Sequence, residues 1–279
     1  MASSAVAFKY IGTKLPKPVK KSHIKKMCRD HDVYQPKYME HLANVATHGI
    51  MIPAGIVAMN ELLDESHDEM QHRTCLLYGI GIISLFICSA SYHLVALVQR
   101  DAKTHGQLFR IFRTADRVVI FLFIAASYTP WLMLRHYGRI GWHLRYIIWL
   151  LAGGGIVYHQ TPLHNRYPNA ESAIYAFMGL APAGVMIVGC ISDMRLHLEQ
   201  DFNGLVLMAT GGAAYISGLT FYHSDGKIPF AHAIWHLFVV LGAVIHFCAV
   251  YTTLLGPPSV RHHHEHHAHE ESHFHKLEL

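Results

Sequence analysis

His232 and His236 stand four residues apart, in His-Ala-Ile-Trp-His, inside an uncharged run of 33 residues. On a helix, positions i and i+4 lie on one face, about 40° apart around the axis. Such a pair is a natural chelate for a divalent metal, as on the helix of zinc proteases. Ser89 and His93 repeat the spacing in a second uncharged run. Asp116 stands just before a third, and Ser127 follows about three turns later on the same face. Glu40, Asn44 and His48 make a polar stripe where another apolar run begins. Three imidazoles and a water form a catalytic-type zinc site with an open fourth position. His93, His232 and His236 are therefore the candidate ligands of Zn2+. Asp116 reads as a carboxylate that orients the water or takes its proton. Ser89 could hydrogen-bond that water or a developing oxyanion. Any one of these histidines alone would more often be an interhelical hydrogen-bonder, so the combination carries the metal reading. Asp116 could itself be a fourth ligand, which would close the site.

The elements that must position these groups follow from composition. Of 279 residues, 52% are hydrophobic and only 15% carry charge, against about 25% charged in an average soluble domain. Seven long runs contain no charged residue: 42–60, 74–99, 118–134, 146–165, 172–192, 202–224 and 228–260. A bilayer-spanning helix needs about 20 mostly apolar residues. The pattern excludes a soluble globular protein, a disordered chain and a disulfide-stapled secreted domain. A membrane β-barrel would alternate apolar and polar residues, and Ile80-Gly81-Ile82-Ile83-Ser84-Leu85-Phe86-Ile87 does not. The sequence predicts an all-α membrane protein, a seven-transmembrane helix bundle. The net charge of +4 does not point to nucleic acid, because the basic residues sit in short loops and the N-terminal arm.

Orientation follows from Lys and Arg in the connecting segments. With a cytosolic N-terminus, fifteen fall on the cytosolic side and seven on the other. The N-terminus is therefore expected in the cytosol and the C-terminus outside it. His93, Asp116 and the His232–His236 pair then all fall at the cytosolic ends of their spans. Residues 1–40 read as a basic cytosolic arm, 41–256 as the seven-transmembrane domain and 257–279 as a His-rich disordered tail. No signal peptide is visible, so the first apolar segment is expected to target the chain. Cys28, Cys75, Cys88, Cys190 and Cys248 show neither metal spacing nor a disulfide framework. His246 is expected to pack, and His223 to be solvated near the boundary. Gly153–Gly155 and Gly211–Gly212 are expected to let helices approach closely.

Ser89-Ala90-Ser91-Tyr92-His93, Asp116 and His232-Ala233-Ile234-Trp235-His236 together resemble the progestin and adipoQ receptor (PAQR)/hemolysin III family. Glu40-x-x-x-Asn44-x-x-Thr47-His48-Gly49 resembles the first span of its hemolysin III-like branch. Phe123–Trp131 and Ser224–His232 are most similar to the monocyte-to-macrophage differentiation branch. The likeness covers about residues 35–255; the arm and the tail fall outside it. The resemblance implies seven helices, an intracellular N-terminus and zinc held at His93, His232 and His236, with Asp116 and Ser89 flanking it. It also implies either a ceramidase-like hydrolase, with a membrane lipid as substrate or ligand, or a receptor or scaffold in which zinc is structural. Golgi or endolysosomal membrane is expected over plasma membrane. Protein partners are not specified, and none of this extends to nucleic acid.

Overall fold

The computed structural model describes residues 36–99, 106–135, 137–192 and 198–255. Residues 1–35 of the arm, the tail and Cys28 lie outside the described residues, as does the side chain of Cys190. Among the described residues all regular structure is α-helical: α1 (Tyr38–Gly49), α2 (Met51–Asp64), α3 (Glu69–Val98), α4 (Gln107–Leu134), α5 (Gly138–Gln160), α6 (Pro162–Arg166), α7 (Pro168–Ser192), α8 (Leu198–Tyr222) and α9 (Ala231–Leu254). Long apolar runs take this form because a helix satisfies its own backbone groups where no water can.

Local chemistry sets the boundaries. At the start of α3, the Gln71 N–H donates to Asp68 Oδ1 at 2.8 Å, and Gln71 Oε1 accepts from the His67 N–H at 2.8 Å. Donors that the first helical turn would leave orphaned are thereby satisfied. α1 and α2 form one apolar segment of 27 residues, interrupted at Ile50. Pro53 explains the interruption: it has no N–H to give the Gly49 carbonyl, and its ring crowds that oxygen. α6 opens on Pro162, where a missing N–H costs no helical bond.

Among the described residues, six segments are long and apolar enough to cross a membrane: α1–α2 together, α3, α4, α7, α8 and α9. α5 is not among them. The sequence reading counted a fourth uncharged run over 146–165, but the helix there runs from Gly138 to Gln160. It therefore takes in His143 and Arg145 and stops five residues short of the end of that run. α5 nevertheless occupies a full place in the bundle. α3 packs on α1 and α2 and then on α4, α4 on α5, α5 on α7, α7 on α8, α8 on α9, and α9 returns to α1. The segments close a ring in chain order, and α4 also touches α7 and α9.

The inside of the bundle is dense. Trp131, Tyr78, Phe86, Phe121 and Ile148 are fully buried. A Cβ on Gly155 would run into the Phe121 ring, and one on Gly211 into the His246 imidazole. His246 thus packs against α8, with the Tyr215 ring 5.6 Å away. Large apolar side chains also cover the outside, including Leu150, Val157, Phe177 and Leu237. In water each would cost about 25 cal/mol per Å2 exposed, whereas lipid accepts them. The chain is a multi-pass membrane protein.

The two ends of the bundle are tied differently. At one, Arg135 Nη2 donates to the Thr253 carbonyl at 2.7 Å and Gln71 Nε2 to the Leu254 carbonyl at 3.5 Å. A cation is favourable at the carbonyl end of α9. The other end gathers the start of α1, the end of α3, the start of α4 and the turn from α8 into α9.

Candidate metal centre

That second end holds the histidines. His93 lies five residues before the end of α3, His232 is the second residue of α9, and His236 is one turn deeper. The donor atoms of the three lie within 4.8 Å of one another. The His93 ring centroid is 5.0 Å from those of His232 and His236, which are themselves 4.8 Å apart. The mutual tilts are 65°, 66° and 68°. Three rings at nearly equal spacing and tilt form a propeller around one point. His93 and His236 are each only 2% exposed.

The outer nitrogens show which atoms face inward. Thr47 Oγ1 donates to the Asn44 carbonyl at 3.0 Å and stands 3.0 Å from His236 Nδ1. Its single proton being committed, the hydroxyl oxygen accepts from an Nδ1–H of His236, and Nε2 is left with its lone pair. Asp225 Oδ2 lies 3.3 Å from His232 Nδ1 and fixes the same tautomer there. Asn44 Nδ2 lies 3.4 Å from His93 Nδ1, while Asn44 Oδ1 is buried without a partner. Amide oxygen and nitrogen are assigned from such networks. Exchanging them lets Oδ1 accept from an Nδ1–H of His93. The buried Nε2 of His93 has no hydrogen-bond partner. Metal-binding histidines usually donate their other ring N–H to an oxygen in this way. The three residues fit a metal ion.

Among the described residues no fourth His, Cys, Asp or Glu joins this set. Asp116 is partly buried and within hydrogen-bonding reach of Ser89. Ser89 is buried. Ser127 does not join them: its hydroxyl donates to its own helix, at the Ile124 carbonyl, 2.9 Å. His223 is exposed in the turn after α8.

Several contributors were not legible as such in the sequence. Thr47 and Asp225 lock imidazoles. His48 stacks on His236 at 3.7 Å and 11°, with the Phe86 ring against its other side at 5.2 Å. Glu40 Oε2 accepts from the Lys37 N–H at 2.7 Å, and its Oε1 accepts from the Phe230 N–H at 3.2 Å. Phe230 sits at φ 57°, ψ 19°, a left-handed conformation uncommon outside glycine. Glu40 thus pins the strained residue that launches α9 and sets the register of His232 and His236. The available signal was the stripe of Glu40, Asn44, Thr47 and His48 along one side of an apolar helix.

A second polar cluster lies where α5, α6 and α7 meet. His159, His164 and Glu171 bring their donor atoms within 4.8 Å of one another. Arg117 Nη1 donates to Glu171 Oε2 at 2.6 Å, and the Tyr175 hydroxyl lies 3.0 Å from Oε1.

A membrane-embedded helical bundle with a buried three-histidine cluster at one end is the class that this geometry defines. Residues 37–247 match the haemolysin III-related family, and the chain belongs to that family, the PAQR/hemolysin III group. It is 39% identical over 231 residues to the monocyte to macrophage differentiation factor of Rattus norvegicus, covering 82% of this chain and 91% of the relative. The human protein of that name is 39% identical over 226 residues, 81% of this chain and 89% of the relative. Hemolysin-3 of Bacillus cereus is 32% identical over 222 residues, 77% of this chain and 92% of the relative.

Proposed function

We propose that the protein is a zinc-dependent hydrolase of lipid amides, working at the cytosolic end of a seven-span bundle in which α5 is the fourth span. One observation carries the reading. Three imidazoles with their Nδ1 atoms engaged outward converge on one point, and no fourth protein ligand joins them among the described residues. Three protein nitrogens with an open position is the catalytic arrangement of zinc, whereas structural sites are closed by a fourth ligand.

His93, His232 and His236 would hold the ion. Zn2+ bound there supplies Lewis acidity, polarising a carbonyl and acidifying water. Asn44, Thr47 and Asp225 hold the imidazole planes, so binding demands little rearrangement. The Asp116 carboxylate accepts and returns a proton, and Ser89 orients it. Apolar helices on all sides exclude bulk water, while His232, 18% exposed, marks the side from which a substrate could enter. A substrate with acyl chains suits a site within two turns of the membrane boundary. The cytosolic assignment rests on the fifteen-to-seven distribution of Lys and Arg. Golgi or endolysosomal membrane is assigned on the likeness to the monocyte-to-macrophage branch alone.

The test uses full-length protein in which the eight histidines of the tail are replaced by Asn, so that the tail cannot contribute metal. His236→Ala is expected to lose the zinc of this site. Asp116→Asn is expected to keep zinc while ceramide-like amide hydrolysis falls at least about 100-fold, the low end for a lost general base. Wild-type turnover no higher than that of His93→Ala across a panel of lipid amides and esters would overturn the hydrolase reading. Zinc would then be structural, in a receptor or scaffold.

A further inference from the structure

We propose that His159, His164 and Glu171 form a second divalent-metal site, separate from the three-histidine centre and independent of the hydrolase reading. Two imidazoles and one carboxylate are a known donor set for Zn2+, and with open positions also for Fe2+.

The geometry points to a cation rather than to hydrogen bonds. His159 Nδ1 stands 2.9 Å from Glu171 Oε1, and His164 Nδ1 stands 3.6 Å from Oε2. Both Nδ1 atoms are buried, and neither is aligned to hydrogen-bond. An N–H and a lone pair leave a ring nitrogen in the same direction, so two buried nitrogens that do not hydrogen-bond are unsatisfied in either role. A cation held among the two nitrogens and the carboxylate, whose donor atoms lie within 4.8 Å of one another, would satisfy all three at once. The side chain of His159 is 9% exposed and that of Glu171 only 2%. The two imidazole centroids are 4.7 Å apart, close to the spacing of the rings in the first centre.

The carboxylate is held by groups that are not ligands. Arg117 donates to Oε2 at 2.6 Å. The Tyr175 hydroxyl lies 3.0 Å from Oε1 and 2.9 Å from the Arg117 carbonyl. Outer partners of this kind orient ligating carboxylates and strengthen metal binding. The segment carrying the ligands is stapled to itself. The Tyr158 hydroxyl donates to the Tyr167 carbonyl at 2.9 Å, and Thr161 Oγ1 to the Tyr158 carbonyl at 2.7 Å. His159 closes α5, His164 lies in α6 and Glu171 is in the first turn of α7. His164, 19% exposed, leaves a path for the ion and for water to complete its coordination. The Arg117 charge sits beside the carboxylate, so this site is expected to bind zinc more weakly than the three-histidine centre.

The experiment is zinc equilibrium dialysis on the full-length chain with the tail histidines replaced by Asn, followed by Co2+ absorption. Two ions per chain are expected, with one lost in His159→Ala and one lost in His93→Ala/His236→Ala. In the latter background, Co2+ should give a visible d–d band that disappears on adding His159→Ala. Glu171→Gln also releases Arg117 and could unfold the junction, so His164→Asn, at the more exposed position, serves as the second variant. It should weaken the remaining ion at least about 10-fold. A folded His93→Ala/His236→Ala protein that binds no ion overturns the proposal. So does a Co2+ band that both His159→Ala and His164→Asn leave unchanged. A parent holding a single ion, lost in His159→Ala but not in His236→Ala, would sustain this site and remove the three-histidine one.

Discussion

Thr47 is a small side chain with a single proton, and that proton decides the tautomer of His236. Because it is spent on the Asn44 carbonyl, Thr47→Val removes an acceptor from His236 Nδ1 while keeping nearly the same shape. Zinc affinity is expected to fall about 10–100-fold, and Thr47→Ser to retain it. Chelator competition on purified protein reads both. Equal affinity in Thr47→Val and wild type would remove Thr47 from the site. At this scale the three clustered histidines were legible, because a histidine inside an apolar run has no cheap explanation. Thr47 and Asp225 were not, since Thr and Asp are ordinary in helices and turns. Only the approach of α1 and of the α8–α9 turn to the same rings gives them a role. His159, His164 and Glu171 were missed for a related reason. Their spacings cross two helix breaks, at Thr161 and Tyr167, so no single helical periodicity links them.

Elements place these residues by how they begin and end. The start of α9 depends on Phe230 in the left-handed region and on the Glu40 carboxylate that accepts its N–H. Glu40→Ala leaves that donor without its acceptor and removes the bond to Lys37 as well. It is expected to destabilise the protein by about 1–3 kcal/mol and to weaken zinc binding together with it. A thermal melt with and without added zinc measures this. An unchanged melting temperature in both conditions would contradict the role given to Glu40. Helix type was legible throughout, because uncharged runs of this length have no other stable form in lipid. Boundaries were less so. Charge counting placed a span at 146–165, yet Thr161-Pro162 stops α5 at Gln160. On the other side the helix extends back through Arg145 to Gly138, because nothing in that stretch breaks it. The interruption at Ile50 could have been read from Pro53.

For the whole molecule, the ring of segments and the side on which each end lies are separate questions. The Lys and Arg distribution sets an expectation for the second. The sequence does not carry the first, since composition reports which segments are apolar and not which neighbour each one meets. Topology has a direct test, because the natural chain contains no Asn-x-Ser/Thr sequon. A sequon inserted after Pro258 is expected to be glycosylated, and one within residues 1–30 to remain bare. The opposite pattern would falsify the cytosolic N-terminus and move the three-histidine centre to the other face.

A ring closed in chain order has its seam between the first segment and the last, and the three-histidine centre sits on that seam. His93 leaves the ribosome long before His236, with roughly 140 residues between them. At about 5–20 residues per second the interval is roughly 7–30 s. Throughout it the α3 and α1 portions of the centre wait half-built in the lipid, with Asn44, Thr47 and His48 facing an empty berth. A metal ion held by these three histidines would therefore be acquired late in biogenesis, after α9 has inserted. A nascent chain stalled before that helix would show the cell's quality-control machinery exposed polar groups rather than a finished site.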